Sequence, residues 1–174
     1  MAFYLRPLNQ SDLKLLHKWL NEPHMFPFFT SIPLSQDQIK KKYGPRLLKN
    51  HEVNCLIAIK DGHPFGYGQW YFNQDFPEYS AIIKFETGIS IDYFIGEPRF
   101  LGLNLGSQLL KTLVQQSARE LEPEDHIFCI GHDDRNSTAI RCTKRAGFTA
   151  EKAFVEDGNP STLFVKRNVP VLHR

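Results

Sequence analysis

Between Thr87 and Glu122 the hydrophobic pattern changes period from two to about 3.6 residues, and this change limits the possible folds more than any other stretch. The run "TGISIDYFIG" alternates as a strand through Ile89, Ile91 and Tyr93 or Phe94. Gly96-Glu97-Pro98 ends it, because proline has no N–H to give to a sheet ladder. "GSQLLKTLVQQSARELE" then sets Leu109, Leu110, Leu113, Val114 and Ala118 on one side of a helix. "HIFCIG" follows as a short, buried-type strand. Strand, helix and strand in this order point to a sheet covered by helices.

The flanking sequence extends the pattern. "AFYLRPL" reads as a first strand, and "SDLKLLHKWLN" as a helix with Ser11 as N-cap and Leu13, Leu16, Trp19 and Leu20 on one face. A Pro- and aromatic-rich loop, "PHMFPFFTSIPL", leads to "SQDQIKKKYG", where Ser35 and Gln38 form a capping box and Gly44-Pro45 interrupts the helix. "VNCLIAIK" and "PFGYGQWYF" make a hairpin around Asp61-Gly62. A polar, aromatic-containing stretch precedes the strand that carries Asp92. After "HIFCIG", "NSTAIRCTKRAG" is a helix that starts at Asn136 or Ser137 and stops at Gly147, and a closing hairpin turns at Asp157-Gly158. The expected order is β-α-α-β-β-β-α-β-α-β-β, an α/β (α+β) fold with a mixed, mostly antiparallel sheet.

Size and composition agree with one globular domain spanning residues 1–174, since 41% of residues are apolar and 23% charged. The net charge of +2 is too small and too evenly spread for nucleic-acid binding, and Lys40 to Lys42 read as a solvated helix face. No apolar stretch is long enough to span a membrane, and the N-terminal residues lack a signal-peptide pattern, so a cytoplasmic protein is expected. Cys55, Cys129 and Cys142 read as free thiols. The histidines form no cluster with zinc-ligand spacing, so no metal is expected.

In "RFLGLNLGSQLL", Gly102 and Gly106 lie just before the amphipathic helix. A helix N-terminus offers unpaired N–H groups and a positive dipole end, so such a turn can hold a phosphate. The run is neither a dinucleotide-binding glycine motif nor a P-loop. Spacing alone leaves a structural turn and a phosphate site both open.

Taken together, "IDYFIGEPRFLGLNLGSQLL", "NSTAIRCTKRAGF", "LRPLNQSDLKLLHKWLNEPH" and "GYGQWY" resemble the GNAT superfamily of acetyl-coenzyme A-dependent N-acetyltransferases. Within it the chain resembles the aminoglycoside 6′-N-acetyltransferases and their siderophore-acylating relatives, from about Leu5 to Val165. The resemblance implies the GNAT fold, in which a splayed strand pair binds coenzyme A. It implies that the loop Leu101, Gly102, Leu103, Asn104, Leu105, Gly106 and Ser107 wraps the pyrophosphate with backbone N–H groups. It further implies that the backbone of Tyr93, Phe94 and Ile95 pairs with pantetheine, and that Asn136 reaches the pantetheine arm as well as capping its helix.

Direct acyl transfer needs a positioned amine, a route for its proton and donors for the oxyanion of the tetrahedral intermediate. The resemblance assigns the proton route to Asp92; the competing reading is that strand alternation turns Asp92 to solvent. A backbone N–H near Tyr93 or Phe94 would serve the oxyanion. Many GNAT members protonate the departing thiolate with a tyrosine, at the place of Thr143 here. A threonine is shorter and a much weaker acid, so water or another residue must take that step, or it is unassisted.

The implied acceptor is a small-molecule amine, an aminoglycoside acetylated at its 6′-amine with antibiotic resistance as the outcome. The protein would act on it as a monomer or homodimer. Its pocket should be acidic and partly aromatic. Candidate contacts are Asp75 and Glu78 before the Asp92 strand, Asp134, Asp157 in the last hairpin, and Phe28 and Phe29 in the N-terminal loop. Asp157 is also a turn residue in its own right, and the two phenylalanines are also candidates for the core. Gly131 stands where the aminoglycoside branch has an aspartate, Asp134 stands where the siderophore branch has a catalytic histidine, and His132 is a possible substitute base. The alternatives are acylation of a hydroxylamine or lysine-type amine, and a coenzyme A-binding module without catalysis. Leu101 and Asn104 also depart from the family pattern, but asparagine tolerates a left-handed backbone better than other non-glycine residues.

Overall fold

The structure is a computed structural model and describes residues 3–26, 28–121 and 126–167. Seven strands form one sheet in the order β1-β2-β3-β4-β5-β7-β6. The strands are β1 (Tyr4–Pro7), β2 (Asn54–Lys60), β3 (His63–Phe72), β4 (Ile89–Ile95), β5 (Phe128–Asp133), β6 (Thr149–Glu156) and β7 (Asn159–Lys166). The helices are α1 (Asp12–Leu20), α2 (Gln36–Tyr43), α3 (Pro77–Ile83), α4 (Leu105–Glu120) and α5 (Ser137–Arg145). The element order matches expectation except for α3, which occupies the stretch expected to be irregular. Pro77 at its first position and Glu78 in its first turn are the residues that favour a helix start. Asp75 therefore sits in a short 3-10 turn and Glu78 on a helix, rather than both in a loop.

The chain divides into two compact units, one formed by residues up to Gln69 with Tyr93–Leu105, the other by Trp70–Asp92 with the residues from Gly106 onward. In the first unit β1 pairs antiparallel with β2, from Tyr4 on Ile59 to Pro7 on Leu56. Leu13, Leu16, Trp19 and Leu20 of α1 are buried, as their spacing requires. Ser11 does not cap α1: it is itself helical and donates its hydroxyl to Asn9 Oδ1 at 2.6 Å. The first turn is held instead by Asp12, which accepts the Asn9 N–H at 2.9 Å and both Arg6 guanidinium nitrogens, at 2.6 and 2.8 Å. The Ser35/Gln38 capping box closes in both directions, at 3.2 and 2.7 Å. Both turn residues of the β2–β3 hairpin have positive φ, Asp61 at 49° and Gly62 at 76°, the geometry that suits the twist of the flanking strands.

In the second unit β4 runs parallel to β5, with Ile89 on Phe128 and Ser90 on Cys129. Strand β7 pairs antiparallel with both β5 and β6, and a bulge between Ala150 and Lys152 shifts the β6 register. Leu109, Leu110, Leu113, Val114 and Ala118 of α4 are all buried. A second cluster joins Ile83, Cys129, Phe154, Leu163 and Val165, with Tyr79, Phe85 and Ile127 packed against it. The three cysteines are free thiols. Among the described residues no helix is long and apolar enough to cross a membrane.

Candidate functional site

In the first unit, the end of β4 is fixed by aromatic packing. Phe94 is buried, stacked on Tyr67 at 5.2 Å between centroids and edge-on to Trp19 at 6.2 Å and Phe29 at 4.8 Å. Only its backbone is therefore available to a ligand. Ile95 carbonyl already accepts or meets His24 Nε2 at 2.9 Å, a partner that sequence gave no reason to expect. Gly96 follows because nothing larger fits: a Cβ there would lie 2.1 Å from the Trp19 indole. The Gly96 and Glu97 N–H groups both donate to Phe65 carbonyl, at 2.9 and 3.1 Å. Phe28 and Phe29 are 41% and 37% exposed, so neither is a core residue.

Beyond this point the chain enters the turn before α4. Gly102 has φ of 76° and Asn104 φ of 57°, so asparagine does adopt the left-handed conformation. Leu101, Gly102, Leu103 and Asn104 are exposed, whereas Leu105 and Ser107 are buried at the helix start. The helix follows directly, and its first N–H groups have no carbonyl one turn back within the helix. An exposed turn of this shape, leading into an α-helix of four turns, fits an anionic ligand.

In the second unit, Asp92 is half-buried near the C-terminal part of β4. Period-two alternation puts it on the same sheet face as Ser90. Below it lies a buried polar hub centred on Asn73. Asn73 Nδ2 donates to the carbonyls of Phe85 at 2.9 Å and Thr87 at 3.2 Å, while its Oδ1 accepts the Ser90 hydroxyl at 2.6 Å. Its own carbonyl accepts the Ser80 hydroxyl at 2.5 Å, which ties α3 to this strand face. Tyr71 and Tyr79 meet edge to face at 6.5 Å. Burial pushes both phenols well above their ordinary pKa, with the Asp92 charge acting in the same direction, so both hydroxyls stay protonated donors. Glu156 is half-buried, and its carboxyl is raised first by burial, then by Asp92 and Asp157.

The structure thus brings Asp92 and Asp157 into one electrostatic group with Glu156, Tyr71 and Tyr79, and the last three were not singled out from the sequence. Asp157, with φ of 48°, also makes the hairpin turn. Asp75 and Glu78 are exposed. Asp134 accepts the Thr162 hydroxyl at 2.7 Å. Asp133, its neighbour, is bound by Arg135 at 2.6 Å and held down to about 2. Asn136 caps α5 by accepting the Ala139 N–H at 3.1 Å.

Thr143 is fully buried and lies 2.7 Å from His132 Nε2. Desolvation lowers the His132 pKa to about 4, so the ring is neutral near pH 7. The neutral imidazole is thus tied through Nε2 to a buried hydroxyl. Gly131, one residue earlier, has no room for a side chain without movement: its Cβ would lie 2.8 Å from Phe154 Cζ and 3.3 Å from the Tyr79 hydroxyl.

A family profile for the acetyltransferase (GNAT) domain matches residues 9–155. An aminoglycoside N(6′)-acetyltransferase type 1 of Klebsiella pneumoniae is 27% identical over 166 residues, 93% of this chain and 81% of the relative. The crystal structure of AAC(6′)-Ib with ribostamycin and coenzyme A superposes with a TM-score of 0.80 at 24% identity, over 96% of this chain and 94% of that one. A protein from Bacillus halodurans superposes with a TM-score of 0.82 at 22% identity, over 95% of this chain and 83% of its own. At these identities the two structures speak for the shared fold.

Proposed function

Because the chain belongs to the acetyltransferase (GNAT) domain family, we propose that it transfers the acetyl group of acetyl-coenzyme A to a primary amine of an aminoglycoside-like polyamine, with the 6′-amine as the reacting group. The observation that carries this reading is the half-buried Asp92 set among two protonated phenols and a second carboxylate. Such a pocket attracts ammonium groups through charge and hydroxyl contacts. The likeness to an aminoglycoside acetyltransferase supports the same class of acceptor.

The exposed turn with positive φ at Gly102 and Asn104 fits the coenzyme A pyrophosphate, held by backbone N–H groups at the start of α4. Asn136 and the backbone of Tyr93 to Ile95 would hold pantetheine. Asp92 holds the acceptor ammonium and takes its proton, directly or through one water. The freed amine nitrogen then bonds to the acetyl carbon and gives its second proton to water, and the carbon–sulfur bond breaks with its electron pair passing to sulfur. A backbone N–H near Tyr93 or Phe94 stabilises the oxyanion formed on the way. The thiolate takes its proton from water, since Thr143 is buried and bonded to His132. Phe28 and Phe29 present apolar faces suited to a sugar ring. The whole chain, 1–174, is read as one catalytic domain.

The test is release of free thiol from acetyl-coenzyme A with kanamycin, spermidine and N6-hydroxylysine as acceptors, and mass analysis of each product. Acetylation of kanamycin at its 6′-amine is expected. Turnover of N6-hydroxylysine alone would move the protein to siderophore acylation, and coenzyme A binding without turnover of any amine would make it a binding module.

A further inference from the structure

Glu156 ends β6 opposite Asn159, immediately before the Asp157-Gly158 turn. Strand alternation puts it on the same face as Phe154, whose ring belongs to the cluster with Ile83, Cys129 and Leu163 that Tyr79 packs against. The Phe154 ring covers Gly131, so position 131 has no carboxylate and no space for one. Tyr79 joins the two sides: its hydroxyl lies over Gly131 and its ring meets Tyr71, on the strand that precedes α3. Glu156 therefore shares a strand face with the Phe154 ring and lies within reach of the Asp92 charge.

We propose that Glu156 is a second ammonium-binding carboxylate of the acceptor site, selecting acceptors with at least two amines over those with one. The proposal rests on Asp92 as the group that meets the reacting amine. Burial, and then the charges of Asp92 and Asp157, raise the cost of ionising the half-buried Glu156, and a cation beside it relieves that cost. A monoamine held at Asp92 brings no second cation there. The phenols of Tyr71 and Tyr79, on both of which the charges of Asp92 and Glu156 act, remain protonated.

The test compares kanamycin with 6-amino-6-deoxyglucose, a sugar with a single primary amine, in wild type and Glu156→Gln. The ratio of kcat/KM for kanamycin to that for the monoamine should fall about tenfold, the loss of one charge-assisted contact, with the change in KM. Glu156→Asp, which keeps the charge, should recover most of the ratio, and Glu156→Ala, which also removes the charge, should show the same fall if the glutamine variant folds poorly. A ratio unchanged by removal of the Glu156 charge would overturn the proposal, even if both activities fall together. Calorimetric binding of kanamycin to the protein with coenzyme A separates the two readings. Kanamycin bound without thiol release defeats the transfer reading, and Glu156 is then judged by whether Glu156→Gln weakens that binding about tenfold. No kanamycin binding by wild type defeats both.

Discussion

Gly96 in the first unit and Gly131 in the second are each covered by an aromatic ring, but the surroundings differ. Above Gly96 the indole of Trp19 leaves no space at all, and its N–H is 3.3 Å from Glu97. Every neighbour there is locked by packing or by a backbone hydrogen bond. Above Gly131 the nearest atoms are the far edge of Phe154 and the hydroxyl of Tyr79. The first glycine shapes a strand end, while the second makes room for the edge of Phe154 and the hydroxyl of Tyr79. Close packing fixes backbone where a ligand would use backbone; partial burial of polar groups is kept where a ligand would meet side chains.

The sharpest test of this contrast is Asp92→Asn. It should lower kcat by roughly 10²–10⁴-fold, as expected for loss of a proton-transfer group, with the thermal midpoint little changed. Full activity in this variant would remove the polar region from catalysis. Next in size is the pH dependence of stability that His132 brings to the second unit. Its folded pKa of about 4 lies below its ordinary value of 6.5. Between these values the unfolded chain binds a proton that the folded chain does not, so stability is lost as pH falls through that window and levels off below it. The loss should reach about 3 kcal/mol, read from urea midpoints between pH 7 and pH 4. In His132→Gln this share of the slope should be lost, leaving the contribution of the shifted carboxyls.

Gly96→Ala should destabilise by about 2–3 kcal/mol, since the clash is with a rigid indole. Gly131→Ala should cost only about 1 kcal/mol, because the edge of Phe154 can give way. Equal losses in chemical denaturation would erase the distinction between the two glycines. The smallest effect is expected at the turn before α4. Asn104→Ala should cost about 1 kcal/mol for its left-handed backbone, while Asn104→Gly should leave stability and coenzyme A affinity close to wild type. A markedly tighter grip in the glycine variant would show that the asparagine side chain obstructs the turn.

The period of the apolar residues carried most of the fold. Leu109, Leu110, Leu113 and Val114 needed only helical spacing to be found, and Asp61-Gly62 needed only its turn chemistry. Helix α3 was hidden because seven residues are too few for a clear helical period, although Pro77 and Glu78 were a readable start signal. The position of Asp92 was legible in a strand, and the left-handed backbone at Asn104 followed from its side chain. Tyr71, Tyr79 and Glu156 were not, because their meeting depends on α3 covering one sheet face and on a bulge resetting β6. Such long-range registers leave no mark in local spacing. The His132–Thr143 contact is of the same kind, joining a strand to a helix that follows it.

The parallel step from Ser90 to Cys129 also governs the order in which the protein assembles. The β6–β7 hairpin can close through its own Asp157-Gly158 turn, but β4 can meet β5 only after the chain has travelled the length of α4 and back. Contacts that close long loops form slowly. The strand bearing Asp92 therefore gains its parallel neighbour β5 later than the hairpin with Glu156 closes.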